Sequence, residues 1–220
     1  KFMIISYPAN PVCSVADDSF YEKAIAFAKK YNVILLHDNA YSDIIFGGKE
    51  GKSFLSYPGA MEVGIEFYSL SKSYNMTGMR ISFALGNKDV IQMFRKVRSQ
   101  IDYGIFLPIQ KAAVAALTGP QDNVKEQCRI YEERNYALCR GMSSIGWKIP
   151  DGQGTMFVWA PIPENYTSSE RFTLDLMEKT GMIVTPGTAF GNLGEGYVRI
   201  ALVHPVDTIE KVVRIVKESG

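Results

Sequence analysis

The chain has 220 residues, 46% of them hydrophobic and 12% aromatic, which is enough apolar material for one large domain or two modest ones. Its 24 basic and 23 acidic residues leave a net charge of +1, so no electrostatic footprint recruits nucleic acid or an anionic membrane, and a small-molecule partner is expected. No apolar run approaches the ~20 residues of a bilayer span, Lys1 opens no signal peptide, and three cysteines, an odd number, do not make a disulfide framework; the expectation is a reduced cytoplasmic protein.

Phe2-Met3-Ile4-Ile5 reads as a strand beginning at once with no initiator Met, so the chain is expected to be the C-terminal part of a longer protein. Residues 17–31 place Phe20, Ala24, Phe27, Ala28 and Tyr31 at helical spacing, with Ser19 and Glu22 in capping-box spacing. Val33-Ile34-Leu35-Leu36 is a continuous apolar run, the mark of a strand covered on both faces, and its end delivers His37 and Asp38. Strands at 64–69 and 81–86, then a helix through Val90, Ile91, Phe94 and Val97, continue the alternation. That order predicts an α/β fold with a mostly parallel sheet, in which ligands collect beyond the carboxyl ends of the strands; Asn10, Asp38 and Ser69 to Lys72 all fall there.

A helix over 108–117 stops at Gly119-Pro120, and a long amphipathic helix follows over 122–145, carrying Cys128 and Cys139 roughly 16 Å apart, too far to bridge. The expected division is residues 1–119, part of a large domain, and residues 120–220, a small α/β domain that includes the long connecting helix. Strands are expected at 155–162, 182–185 and 197–202, and helices at 169–179 and 207–218.

The densest chemistry lies in Tyr68-Ser69-Leu70-Ser71-Lys72-Ser73-Tyr74-Asn75-Met76-Thr77-Gly78-Met79-Arg80. An aldehyde cofactor needs an amine with which to form a Schiff base, and its phosphate needs hydroxyls and a planar cationic fork; Lys72, Ser69, Ser71 and Arg80 supply them, so the segment reads as a pyridoxal 5'-phosphate site. Asp38, ending a buried strand, must pair or carry a shifted pKa, and a pyridinium nitrogen is a suitable partner. Tyr41 and Asn10 can each hydrogen-bond a phenolate oxygen. Arg199, in Tyr197-Val198-Arg199-Ile200-Ala201, alternates to the face opposite Val198 and Ile200 and can fork a substrate carboxylate. The plain alternatives are a surface lysine, a turn-capping aspartate, a core tyrosine, a turn asparagine and a surface arginine.

The order Asn10-Pro11, Asp38-x-x-Tyr41, Ser69-x-Ser71-Lys72, Arg80 and Arg199 resembles the fold type I, class I and II aminotransferases along essentially the whole chain. The resemblance implies that Lys72 binds the cofactor and shuttles the α-proton, and that Asp38 pairs with the pyridine nitrogen. It further implies that Asn10 and Tyr41 hold the phenolate oxygen, Ser69, Ser71 and Arg80 the phosphate, and Arg199 the substrate α-carboxylate. Phe27-Ala28-Lys29-Lys30-Tyr31, His37-Asp38-Asn39-Ala40-Tyr41 and Gly119-Pro120-Gln121-Asp122 look most like the LL-diaminopimelate branch, near the aspartate and alanine enzymes. Transamination between an amino acid and a 2-oxo acid is therefore implied. So is a homodimer of the full-length protein, with 100–106 resembling the segment that reaches toward the partner.

Two departures stand out. The family usually reads Asn-Pro-Thr-Gly where this chain has Asn10-Pro11-Val12-Cys13, so Asn10 is expected to be presented on a turn without its glycine. The family's N-terminal phosphate loop and ring-stacking aromatic have no counterpart here, which leaves an inactive fragment as an alternative. A non-catalytic effector-binding domain of a transcription regulator is another. A penicillin-recognising hydrolase would share Ser69-x-x-Lys72 and Lys179-Thr180-Gly181, but Ser69 is expected to end a strand rather than open a helix, and no third motif follows Ser42-Asp43. His37 and His204 lack partners at metal-ligand spacing, and no metal site is expected.

Overall fold

A computed structural model describes residues 1–219 and divides into two compact units, one of Lys1–Pro8 with Val15–Cys128, the other of Ala9–Ser14 with Arg129 onward. In the first unit, β1 (Phe2–Ser6), α1 (Asp18–Tyr31), β2 (Ile34–Asp38), the one-turn α2 (Ala60–Val63) and β3 (Gly64–Ser69) alternate. Then come the one-turn α3 (Leu70–Ser73), β4 (Ser82–Gly86), α4 (Lys88–Arg98), α5 (Leu107–Thr118) and the start of α6 (Asp122–Ser144). The sheet order is β1-β2-β3-β4, with β1, β2 and β3 mutually parallel and β4 antiparallel to β3.

Parallel strands need covered faces, and α1 supplies one cover: Tyr21, Ala24, Ile25 and Ala28 pack with Ile5, Leu35, Phe54 and Ala60 in a single buried cluster. The cap of α1 is Asp17, not the expected Ser19. Asp17 Oδ1 accepts from Phe20 N–H at 2.8 Å, and the Ser19 hydroxyl donates to the same oxygen. A carboxylate there satisfies an orphan amide and also complements the positive helix end, which a hydroxyl does less well. Asn32 closes the helix in the left-handed region, φ 50°. A second cluster, Leu70, Ile81 and Ala113, ties α3 and the start of β4 to α5.

The second unit holds a three-stranded antiparallel sheet, order β5-β7-β6, of β5 (Phe157–Pro161), β6 (Thr185–Pro186) and β7 (Tyr197–Ala201), with α7 (Ser169–Thr180) and α8 (Val206–Ser219). Val158, Ala160, Val198 and Ile200 face inward, fully or nearly buried. The strand expected at 182–185 is shorter and later. Gly181 caps α7 at φ 73°, and only Thr185 and Pro186 pair with β7, Pro186 having no N–H to extend the ladder. The three cysteines are free thiols, and no helix among the described residues is long and apolar enough to cross a membrane.

Candidate active site

At the end of β2, strand alternation gives neighbouring charged residues opposite surroundings. His37 is fully buried and stands in register with Glu66 of β3. Its Nδ1 lies 2.9 Å from Glu66 Oε2 and its Nε2 lies 3.1 Å from the Tyr7 carbonyl oxygen. The Tyr21 hydroxyl also lies 3.5 Å from Nε2, so both ring nitrogens of this buried histidine have polar partners. Glu66 also accepts from Ser53 Oγ at 2.8 Å and Phe54 N–H at 2.7 Å. Burial pushes the Glu66 carboxyl upward, but these hydrogen bonds and the His37 charge outweigh it and leave its pKa below the ordinary value.

Asp38, one residue on, is exposed, and its carboxylate has no hydrogen-bond or ion-pair partner among the described residues. The strand ends as Asp38 emerges from the sheet, which leaves its carboxylate open to a partner from outside the described residues. Tyr41, in the following turn, is 8% exposed.

Ser69 ends β3 and also caps α3, its Oγ accepting from Ser71 N–H at 3.2 Å. It does both things that the hydrolase argument treated as exclusive. Ser71 is buried and Lys72 half-buried, and among the described residues no partner meets the Lys72 ammonium. The turn is held through its neighbours: Leu70 is fully buried, Thr77 Oγ1 donates to the Ser71 carbonyl at 2.9 Å, and Ser73 Oγ donates to Asp43 at 2.5 Å. Arg80 sits two residues before Ser82, which pairs with Ser69 across the sheet, so it shares this edge. It takes φ 52°, is exposed, and donates from Nη1 to the Thr77 carbonyl at 3.0 Å, with no carboxylate paired to it among the described residues.

In the second unit, Arg199 Nη1 donates to Asn10 Oδ1 at 2.9 Å. Its guanidinium carbon lies 4.2 Å from the Phe157 ring centroid and 4.6 Å from that of Phe190. Rings on the guanidinium fix its plane and leave its remaining edge for an anion; no protein carboxylate takes that edge among the described residues. Val198 and Ile200 point inward on either side of it, as alternation required. Cys13, where the family has glycine, itself takes φ 61° and closes the turn, its N–H donating to the Ala9 carbonyl at 2.8 Å. The missing glycine therefore does not open the turn. Burial pushes the Cys13 thiol up to about 11, which makes it an inert filler rather than a nucleophile.

The groups on this edge suit pyridoxal phosphate by their chemistry: an unpartnered amine for its aldehyde, an unpartnered carboxylate for its ring nitrogen, and hydroxyls and a guanidinium free of any carboxylate for its phosphate. The sequence also matches the model of the family described as aminotransferase class I and II, over residues 1–216. The chain belongs to that family. It is 46% identical over 213 residues to the LL-diaminopimelate aminotransferase of Moorella thermoacetica, covering 97% of this chain and 54% of that one. It is 44% identical over 219 residues to the LL-diaminopimelate aminotransferase of Halothermothrix orenii, covering 100% and 56%. Among solved structures, substrate-bound BacF from Bacillus subtilis superposes with a TM-score of 0.95 at 39% identity, covering 99% of this chain and 56% of that one. A probable N-succinyldiaminopimelate aminotransferase from Thermus thermophilus gives 0.93 at 34% identity, covering 100% and 59%. The chain thus has the α/β fold of these aminotransferases and spans little more than half the length of the relatives it matches.

The first unit gathers Asp38, Tyr41, Ser69, Ser71, Lys72 and Arg80 along one sheet edge, and the second brings Asn10 to Arg199. Sequence reasoning missed Asp43, Glu66, Phe157 and Phe190. Phe157 was within reach, because it lies two residues from Trp159, which pairs with Arg199. Asp43 and Phe190 lie outside the strands, Asp43 in a loop and Phe190 in a short 3-10 turn (Gly187–Phe190), and carry no periodic signal.

Proposed function

We propose that this chain carries the lysine-bearing part of a pyridoxal phosphate-dependent aminotransferase acting between an amino acid and a 2-oxo acid. The observation that carries the reading is the Lys72 amine, half-buried and unpartnered among the described residues, on the same strand edge as the unpartnered Asp38 carboxylate and the Arg80 guanidinium. A lysine held there without a counter-ion is available to a carbonyl and can afterwards move a proton at the substrate α-carbon. Pyridoxal phosphate, when bound, supplies an electron-withdrawing ring that makes that α-hydrogen acidic.

In this reading Asp38 keeps the ring nitrogen protonated, and Ser69, Ser71 and Arg80 hold the phosphate. Asn10 and Tyr41 donate to the phenolate oxygen. Arg199, its plane fixed by Phe157 and Phe190, forks the substrate α-carboxylate. The names of the relatives favour LL-diaminopimelate as amino donor, with aspartate or alanine as the nearer competitors. Exposed Ile101, Tyr103 and Phe106 support a homodimer through 100–106, and three free thiols support a reducing cytoplasm.

The test is a titration of the full-length protein and of this chain with pyridoxal phosphate, followed by borohydride reduction and peptide mapping. A visible absorption band that disappears in Lys72→Ala, with the reduced cofactor found on Lys72, is expected. Attachment elsewhere, or no band in the full-length protein, overturns the reading.

A further inference from the structure

One carboxylate oxygen, Asp43 Oδ2, collects three hydroxyls: Tyr68 OH at 2.8 Å, Ser73 Oγ at 2.5 Å and Ser42 Oγ at 3.4 Å. The two short contacts bracket the cofactor segment, since Tyr68 directly precedes Ser69 and Ser73 directly follows Lys72. Asp43 stands two residues after Tyr41 in the loop that leaves β2, so a single side chain joins the loop carrying Asp38 and Tyr41 to both ends of the turn carrying Lys72. No lysine, arginine or histidine pairs with Asp43 among the described residues; hydroxyl donors alone meet its charge, in the stronger, charge-assisted kind of hydrogen bond.

The arrangement matters because α3 is a single turn, too short to hold its own shape. No described residue grips the Lys72 ammonium, so where the amine sits depends on what grips its neighbours. Leu70 anchors one side by burial in the apolar cluster, and Ser73, 2% exposed, anchors the other through Asp43. Burial and the nearby Asp43 charge both push the Tyr68 hydroxyl's pKa upward, so Tyr68 remains a donor across the working range.

We propose that Asp43 is a positioning residue for Lys72, clamping Tyr68 and Ser73 so that the amine is held toward the sheet edge shared with Asp38. The inference rests on the reading of Lys72 as the cofactor-binding amine. Asp43→Asn keeps an oxygen with two lone pairs, enough for Tyr68 and Ser73, whereas Asp43→Ala keeps none.

The experiment compares both variants in the full-length protein by two readouts. The first needs no cofactor: amide hydrogen exchange across 70–74 and competitive acetylation of Lys72 against the other lysines. Asp43→Ala should speed exchange about tenfold and change Lys72 labelling, and Asp43→Asn should return both to within about threefold of wild type. The second is the Lys72-dependent absorption band on titration with pyridoxal phosphate. Its midpoint should move about tenfold to higher cofactor concentration in Asp43→Ala and recover in Asp43→Asn. Should Asp43→Ala not fold, Ser73→Ala and Tyr68→Phe each remove one donor and should each give a smaller acceleration at 70–74. Wild-type exchange and labelling in Asp43→Ala, or in both single-donor variants, overturns the proposal, as does an Asp43→Asn protein no better than Asp43→Ala. A wild-type protein without the band would instead sink the cofactor reading, and the exchange data would still decide the role of Asp43.

Discussion

His37 and Asp38 are consecutive on β2, yet one is fully buried between a carboxylate and a carbonyl and the other stands exposed with no partner among the described residues. The same split divides Glu66 from Lys72 across β3 and its following turn: Glu66 accepts three hydrogen bonds, whereas the Lys72 ammonium makes none with the described residues. Charges on the covered face of the sheet are neutralised inside the protein, because an unpaired buried ion is too costly. Charges at the strand ends are left over, and leftover charge is what a ligand with complementary groups can use.

This contrast can be broken at each point. The largest effect is expected at the unpartnered amine. Lys72→Ala should abolish transamination and the visible band while leaving the thermal midpoint nearly unchanged, since no internal contact of the ammonium is lost; activity assay and melting curve together check it. Asp38→Asn should lower kcat/KM by about 100-fold or more while shifting stability by no more than about 0.5 kcal/mol, as expected for an exposed residue without partners. A substantial loss of stability here would mean that Asp38 is a structural acid after all.

The paired charges should behave the other way. Glu66→Leu strands the buried His37 and removes the acceptor of Phe54 N–H, so urea unfolding should show a loss of about 3–5 kcal/mol. The pH dependence has a definite sign. Glu66 has a folded pKa below its unfolded one, so its contribution is complete above the unfolded carboxyl range, about 4.3, and is lost as pH falls toward and through the folded value. Wild type should therefore lose stability faster than Glu66→Gln on acidification below that range; parallel curves would remove the pair from the account. The smallest effect is expected far from the site, at the end of α1. Asn32→Gly should be close to neutral, and Asn32→Ala should cost about 1 kcal/mol, because alanine lacks the tolerance for φ 50°.

Much of this was legible before any coordinates. The continuous apolar run at 33–36 announced an interior strand, and β2, paired in parallel with β1 and β3, is that strand, although Leu35 and His37 are buried while Ile34 and Leu36 are only partly so. The pattern at 64–69 gave β3 to the residue, because Gly64 and Ser69 are both boundary types. Alternation alone put Arg199 opposite Val198 and Ile200. Other readings failed for physical reasons. Ser19 and Asp17 can both cap a helix, and only the entry path of the chain chose Asp17. The strand expected at 182–185 looked apolar enough, but pairing with β7 begins only at Thr185, after the left-handed turn at Gly181.

The sequence by itself determined the element order, the family and the residue types of the site, since periodicity, apolar runs and the Ser69-x-Ser71-Lys72 to Arg80 spacing are local properties of the chain. Tertiary structure decided which of those charges are satisfied. Whether His37 finds Glu66, whether Arg199 reaches Asn10, and whether Asp43 reaches Tyr68 and Ser73 depends on segments brought together across 25 to 189 positions of sequence, and no local pattern carries that distance.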